Sequence, residues 1–376
     1  MATNTRAREL VAEGRDVISF AAGEPDFPTP EHIVAAATRA ARDPVHHHYT
    51  AAAGHPELRE AVAEYTRRHS EVEVGAAEVA ITNGAKQAVF NTFAAILDPG
   101  DEVLLPAPYW VTYPASVKLA GGNPVLVKTT PATSFKVTVE DLEAAVTERT
   151  RALVLVSPSN PTGAFYREEE LKTIGEWAIS NRVWVVADEI YQRLVYPTGI
   201  APSIAAASPG LETWILINGV AKSYAMTGWR VGWMVGPRDV VDAGVRLQSH
   251  ATSNVNNIAQ AAALAAVTGP QETVEQMRAA FDRRRKLMFD LVSGIEGISC
   301  IEPEGAFYVF PDVTGLLGSR FADAVELSEA ILEDAGAAVI PGDSFGAPGF
   351  IRLSYATGDE DIKTGLGRIA GMFGSL

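Results

Sequence analysis

The feature that most limits how this chain can fold is a series of short, continuously apolar runs separated by helical stretches. The runs are Val79–Thr82, Val103–Leu105, Val125–Val127, Leu153–Val156, Val183–Ala187, Trp214–Ile217 and Arg230–Val235. Helical segments such as Ala85–Leu97, Arg167–Ser180 and Arg238–Ser249 fall between most of them. Strands without polar alternation are buried on both faces, so this pattern predicts an α/β fold with a mostly parallel sheet covered by helices on each side. Upstream, Thr29-Pro30 predicts a helix to about Arg42 with the proline at its first position, and Pro56 opens another to about Arg68. Beyond Asn254 the pattern is helical to about Val292, then alternates afresh through Phe307–Phe310, Phe321–Ala335, Ala338–Ile340, Ile351–Ser354 and Asp359–Met372. A chain of 376 residues exceeds one ordinary core. We therefore expect a large domain over 31–283 and a smaller α+β domain built from both chain ends, 1–30 and 284–376.

Composition removes several function classes. With 31 basic against 46 acidic residues the net charge is −15, which repels phosphate backbones and disfavours nucleic-acid or anionic-membrane partners. Cys300 is the only cysteine, so no intrachain disulfide and no multi-cysteine metal site can form. No run approaches the roughly 18 apolar residues that span a bilayer, and the start lacks a signal-peptide core, so a cytoplasmic protein is expected. His46-His47-His48 is read as a polar loop rather than a metal site, because consecutive side chains do not share a face.

Open parallel sheets bind ligands at the carboxyl ends of their strands, so the residues just beyond each run matter most. Val79–Thr82 leads into Asn83-Gly84-Ala85-Lys86 at a helix start, and Leu153–Val156 into Ser157-Pro158-Ser159-Asn160-Pro161. Val183–Ala187 leads into Asp188-Glu189-Ile190-Tyr191, and Trp214–Ile217 into Asn218-Gly219-Val220-Ala221-Lys222. Two lookalikes fail on their details. Ala221-Lys222-Ser223 lacks the glycines of a phosphate loop, which removes an ATPase reading of the Asp188 strand. Gly342-Asp343-Ser344-Phe345-Gly346 resembles a nucleophile elbow, but Pro348-Gly349 comes next and the last histidine is His250, far upstream.

The rim set suits pyridoxal phosphate, which needs a lysine for covalent attachment, a carboxylate for its ring nitrogen, donors to its phenolic oxygen and an anion site for its phosphate. Lys222 sits among small and apolar residues in a chain with only eight lysines. Taken singly, Lys222 could be a surface lysine, Asp188 a helix cap, Asn160 a turn residue and Tyr191 core; their joint position at successive strand ends argues otherwise.

These blocks carry a resemblance. Ala22-Gly23-Glu24-Pro25-Asp26-Phe27, Tyr49 with Gly54 and Leu58-Arg59, Asn83-Gly84-Ala85-Lys86-Gln87, Pro108-Tyr109-Trp110 and Asn160-Pro161-Thr162-Gly163 occur in that order. Asp188-Glu189-Ile190-Tyr191, Ala221 through Arg230, and Ile351-Arg352-Leu353-Ser354-Tyr355 complete the set. The chain resembles the fold-type I, class I aminotransferases, specifically the prokaryotic aspartate aminotransferase subgroup, over essentially its whole length.

The resemblance implies that Lys222 bears pyridoxal 5′-phosphate and shuttles the substrate proton, that Asp188 pairs with the ring nitrogen, and that Asn160 and Tyr191 bond the phenolic oxygen. Gly84, Ala85, Lys86 and Arg230 would bind the phosphate, and Trp110 would stack on the ring. Gly23 would leave room for substrate, Arg352 would grip its α-carboxylate, and Lys86 would take the distal carboxylate, with Trp110 and Asn160 also touching substrate. Tyr49 would reach the phosphate of a neighbouring subunit, with the Ser253-Asn254 region at the same interface, which implies a homodimer with shared active sites. The implied substrates are an amino acid, foremost aspartate, and 2-oxoglutarate in ping-pong half-reactions. Aromatic or neutral donors, or a carbon–sulfur β-lyase reaction, stay open. Two departures are visible: Ala221 stands where many relatives have serine, which shifts phosphate binding onto Arg230, and the subgroup's usual segment ahead of Met1 bears on any prephenate activity.

Overall fold

The computed structural model describes residues 2–318 and 320–374. β1 (Ile18–Ser19) precedes the main sheet, whose strands are β2 (Val79–Thr82), β3 (Glu102–Ala107), β4 (Asn123–Lys128), β5 (Thr150–Val156), β6 (Trp184–Asp188), β7 (Trp214–Gly219) and β8 (Gly232–Val235). After them come β9 (Tyr308–Val309), β10 (Ala337–Ala338), β11 (Ile340–Pro341) and β12 (Ile351–Ser354). The main sheet has seven strands in the order β2-β8-β7-β6-β5-β3-β4. Neighbours are parallel except at β8, which runs antiparallel to both β7 and β2. All other strands therefore end at one rim, and β8 begins there.

Both faces of this sheet are apolar, as the unalternating runs predict. Val185 and Ala187 of β6 join one core layer with Leu216 of β7, while Val186, Ile215 and Ile217 join the opposite layer. The same period of two turns Asp188, next after Ala187, toward the layer that holds Tyr113. A further apolar cluster ties Ile18 and Phe20 to Phe281 and Met288 of the helix Glu272–Ser293, to Tyr308 and Leu353, and to Ile362 and Ile369 near the C-terminus.

Element boundaries differ from the sequence expectation where local chemistry intervenes. The helix expected from Pro30 is Glu31–Arg42, with Pro30 as an extended residue before it (ψ 140°). The stretch beyond Asn254 is two helices, Asn257–Thr268 and Glu272–Ser293, because Gly269-Pro270 interrupts the ladder. Ala338–Ile340 is not one strand: β10 pairs with β1 and β11 with β12. Arg230 lies outside β8 in a left-handed conformation (φ 59°). The helices Ala2–Ala12 and Thr112–Leu119 are not evident from the sequence pattern. Among the described residues no helix is long and apolar enough to cross a membrane, and no group of three or more potential ligands is placed to hold a metal ion.

Candidate active site

The rim opens into a cavity of about 420 Å³. Gly23, Ala85, Lys86, Trp110, Asn160, Asp188, Tyr191, Lys222, Arg230 and Arg352 all line it. Their convergence comes from topology. Asp188, Asn160, Trp110 and Lys222 stand at or beyond the ends of β6, β5, β3 and β7, whereas Arg230 arrives just before β8 because that strand runs the other way. Arg352 comes from β12, outside the main sheet.

Asp188 is buried, accepts a hydrogen bond from the Tyr113 hydroxyl at 2.8 Å and another from the Ile190 amide at 3.1 Å. Burial pushes its carboxyl up to about 6 despite these donors and the nearby Lys222 charge. A carboxylate held in that state is poised to accept a cationic partner. Lys222 donates to the Gly23 carbonyl and lies 5.7 and 5.6 Å from the ring centroids of Tyr191 and Phe307. Burial, reinforced by the Arg352 charge, lowers its ammonium to about 8, so a free amine is accessible near neutral pH.

Arg352 is buried and stays charged, although burial draws its affinity for the proton down. It donates to Asn160 Oδ1 at 3.0 Å and to the Ala21 carbonyl at 2.9 Å, while its Nε has no partner. Its guanidinium carbon lies 4.5 Å from the Tyr308 ring centroid and 5.1 Å from that of Phe345. Both hydrogen-bond partners are neutral oxygens, so this charge has been buried facing a cavity without being neutralised. Such a group calls for an anion.

The helix Ala85–Ile96 begins at this rim, where its first N–H groups have no intrahelical acceptors and its dipole favours an anion. Two glycines permit the approach. A Cβ on Gly84 (φ 79°) would sit 2.4 Å from the Arg230 guanidinium, and one on Gly232 would sit 2.4 Å from the Ala85 nitrogen. Arg230 is exposed, donating to the carbonyls of Thr227 at 2.9 Å and Asn83 at 3.3 Å. Lys86 is also exposed and stands 4.9 Å from the Trp110 ring centroid. That cation–π contact offsets part of the cost of a lysine in a first helical turn.

For three of the expected residues the structure adds detail. Gly84 does not line the cavity itself but shapes the helix start behind it. Tyr49, expected to serve a neighbouring subunit, does not line the cavity of its own chain and is 91% exposed. At Gly23 an added Cβ would meet the Tyr308 hydroxyl at 3.4 Å, an ordinary contact, so the protein alone does not demand glycine there. Sequence reasoning also missed lining residues. Tyr113 lies in the helix Thr112–Leu119, which the sequence pattern does not reveal, and its amide bonds the Trp110 carbonyl at 3.1 Å. Tyr308 is hidden inside the apolar run Ala306–Phe310, which reads as core.

The lysine, the buried carboxylate, the helix start beside Arg230 and the un-neutralised Arg352 guanidinium form a set that fits pyridoxal phosphate together with a carboxylate substrate. Comparisons with known proteins agree. The aspartate aminotransferase of Streptomyces avermitilis is 55% identical over 375 residues, covering 98% of this chain and 92% of that protein. The solved aspartate aminotransferase of Thermus thermophilus with maleate superposes with a TM-score of 0.93 at 43% identity, over 98% of this chain and 95% of that one. The aspartate aminotransferase of Rhizobium meliloti gives 0.93 at 40% identity, over 98% and 94%. With the model for aminotransferase class I and II matching residues 15–369, this chain belongs to that family, a pyridoxal-phosphate-dependent aminotransferase of fold-type I.

Proposed function

We propose that the chain is an aspartate aminotransferase, exchanging amino groups between aspartate and 2-oxoglutarate in two half-reactions at one site. The observation that carries the dicarboxylic reading is the cavity's charge: Arg352, Lys86, Lys222 and Arg230 line it against Asp188 and Glu24. The names of the relatives, and maleate as ligand of the Thermus thermophilus structure, support the same reading.

When bound, pyridoxal phosphate supplies an electron sink that lets the α-proton of an attached amino acid leave. In this reading Lys222 provides the attachment point and then, as free amine, takes and returns that proton. Asp188 holds a positive charge on the ring nitrogen. Tyr191 and Asn160 donate to the phenolic oxygen, Trp110 covers the ring, and the Gly84–Lys86 helix start with Arg230 binds the phosphate. Arg352, which lines the cavity with only neutral oxygens as protein partners, binds the α-carboxylate with its guanidinium. Lys86, on an exposed side chain braced by Trp110, takes the distal carboxylate.

The test is a panel of amino donors against 2-oxoglutarate, run on the wild type and on Lys86→Met. Aspartate should be preferred by the wild type, and the variant should raise the KM for aspartate and 2-oxoglutarate roughly tenfold, about 1.4 kcal/mol, while sparing alanine. Because Lys86 starts out exposed, a larger penalty is not expected. Preference for neutral or aromatic donors, or pyruvate and ammonia without any 2-oxo acid, would replace this reading by its alternatives.

We further propose a cytoplasmic homodimer, and a division into a large domain of residues 31–283 and a small one of 1–30 with 284–376. Tyr49 is 91% exposed, which leaves its side chain free to reach a second chain. In the dimer, Tyr49 would serve the partner's phosphate site. Arg59 is tied within its own chain, donating to the Val79 carbonyl at 2.9 Å, so Tyr49 alone is the cleaner lesion. A weakly active Tyr49→Ala chain and an inactive Lys222→Ala chain, co-expressed, should form hybrids that regain activity above either parent. Hybrids with no gain would argue that each site is complete in one chain.

A further inference from the structure

We propose that Tyr308 is a positioning residue for the aminotransferase reaction, with its hydroxyl directing Tyr191 and its ring supporting Arg352. The proposal rests on the aminotransferase reading of this site and adds a residue to it. The strand register makes the arrangement. Tyr308 of β9 lies opposite Ser354 of β12, so Arg352, two residues earlier on the same face, sits diagonally over the Tyr308 ring at 4.5 Å. The Tyr308 hydroxyl meets the Tyr191 hydroxyl at 2.8 Å, and both side chains are buried. Phenylalanine would fill the same space, so packing alone does not account for a hydroxyl at this depth.

The direction of the hydrogen bond follows from the role of Tyr191. Burial makes both phenols reluctant to ionise, and the Arg352 charge opposes that at both. In the aminotransferase reading Tyr191 donates its own hydrogen to the cofactor's phenolic oxygen, so Tyr308 supplies the hydrogen of the 2.8 Å bond. Tyr191 then keeps its own hydrogen free, with the cavity as the open side. A carboxylate on Arg352 weakens its field at both phenols, so occupancy of the anion site is felt at Tyr191 without a direct contact between Tyr191 and substrate.

The hydroxyl and the ring can be tested separately on the holoenzyme. Tyr308→Phe should lower kcat roughly tenfold with KM within about twofold, the effect of a lost buried hydrogen bond. It should also raise the pH midpoint of the bound cofactor's visible absorbance change, because Tyr191 becomes a weaker donor. Tyr308→Leu should in addition weaken binding of the non-reacting dicarboxylate maleate by roughly 3–10-fold, the effect of losing a cation–π platform. In a Tyr191→Phe background, Tyr308→Phe should cost nothing further in kcat, since its hydroxyl acts through Tyr191. An unchanged absorbance midpoint in Tyr308→Phe, or losses that multiply in the double variant, would overturn the proposal. A wild type unable to exchange amino groups would overturn the activity reading instead.

Discussion

Replacing Lys222 by alanine is expected to leave a folded protein that still takes up cofactor but has lost at least about 10⁴-fold in turnover, the upper range for removing a positioned acid–base group. The geometry explains both halves. In the proposed mechanism the phosphate anchor is made by other residues, the helix start and Arg230, so cofactor uptake should survive loss of the amine. The amine lines the cavity and, in the same mechanism, is the group that attaches the cofactor. Borohydride reduction of the wild type should fix the cofactor on the peptide bearing Lys222 and do nothing in the variant; recovery of the adduct on Lys86 would refute the assignment. The cofactor-free proteins should differ as well. Lys222 holds its proton to about 10.5 in the unfolded chain but only to about 8 when folded. Folding therefore releases a proton in that window, and this group's contribution to stability rises as pH increases from about 8 to about 10.5. Below it the fold carries a charge it disfavours. Wild type minus variant, in thermal melts across that range, should trend upward; a flat difference would mean Lys222 is better solvated than its setting implies.

Asp188→Asn should separate folding from catalysis more sharply. The amide can keep the local bonds: its oxygen accepts from the Ile190 amide, and the Tyr113 hydroxyl rotates to accept from its NH₂. What it cannot do is hold a proton on the ring nitrogen, so turnover should fall by roughly 10²–10⁴-fold, the scale of a missing electrostatic stabiliser in a dry site. Stability should move the other way. The carboxyl rises from 3.8 unfolded to about 6 folded, so folding takes up a proton and the cofactor-free protein loses stability as pH rises through that window. At pH 8 the two-unit shift is on the order of 3 kcal/mol, which the neutral amide recovers. The cofactor-free variant should melt higher than the wild type at pH 8 and match it near pH 4. Near-normal turnover would remove Asp188 from the role proposed for it.

Much of the site was legible because strand ends in a parallel sheet share a rim. Once the apolar runs are assigned, Asp188, Asn160, Trp110 and Lys222 have to face one another, whatever the details of packing. Arg230 was legible only as a member of a motif. Its run suggested a strand residue, and the antiparallel sense of β8, which delivers it to the rim ahead of Gly232, is not encoded in periodicity. Arg352 stood out because an arginine inside Phe350-Ile351-Arg352-Leu353 needs a reason to be buried, but the reason, two neutral acceptors and one orphaned N–H, is spatial.

The sequence by itself determined the α/β layering, since residues apolar on both strand faces allow no other burial, and it determined which loop chemistry gathers at the sheet's carboxyl ends. The tertiary structure alone decided what touches those residues. Tyr113 beneath Asp188, Tyr308 beside Tyr191 and the Gly23 carbonyl on Lys222 are contacts between segments 75, 117 and 199 positions apart. No local propensity links such positions. They meet because the burial of apolar surface, which is non-directional, brings the segments together, and only then do their hydroxyls and carbonyls find partners they must have.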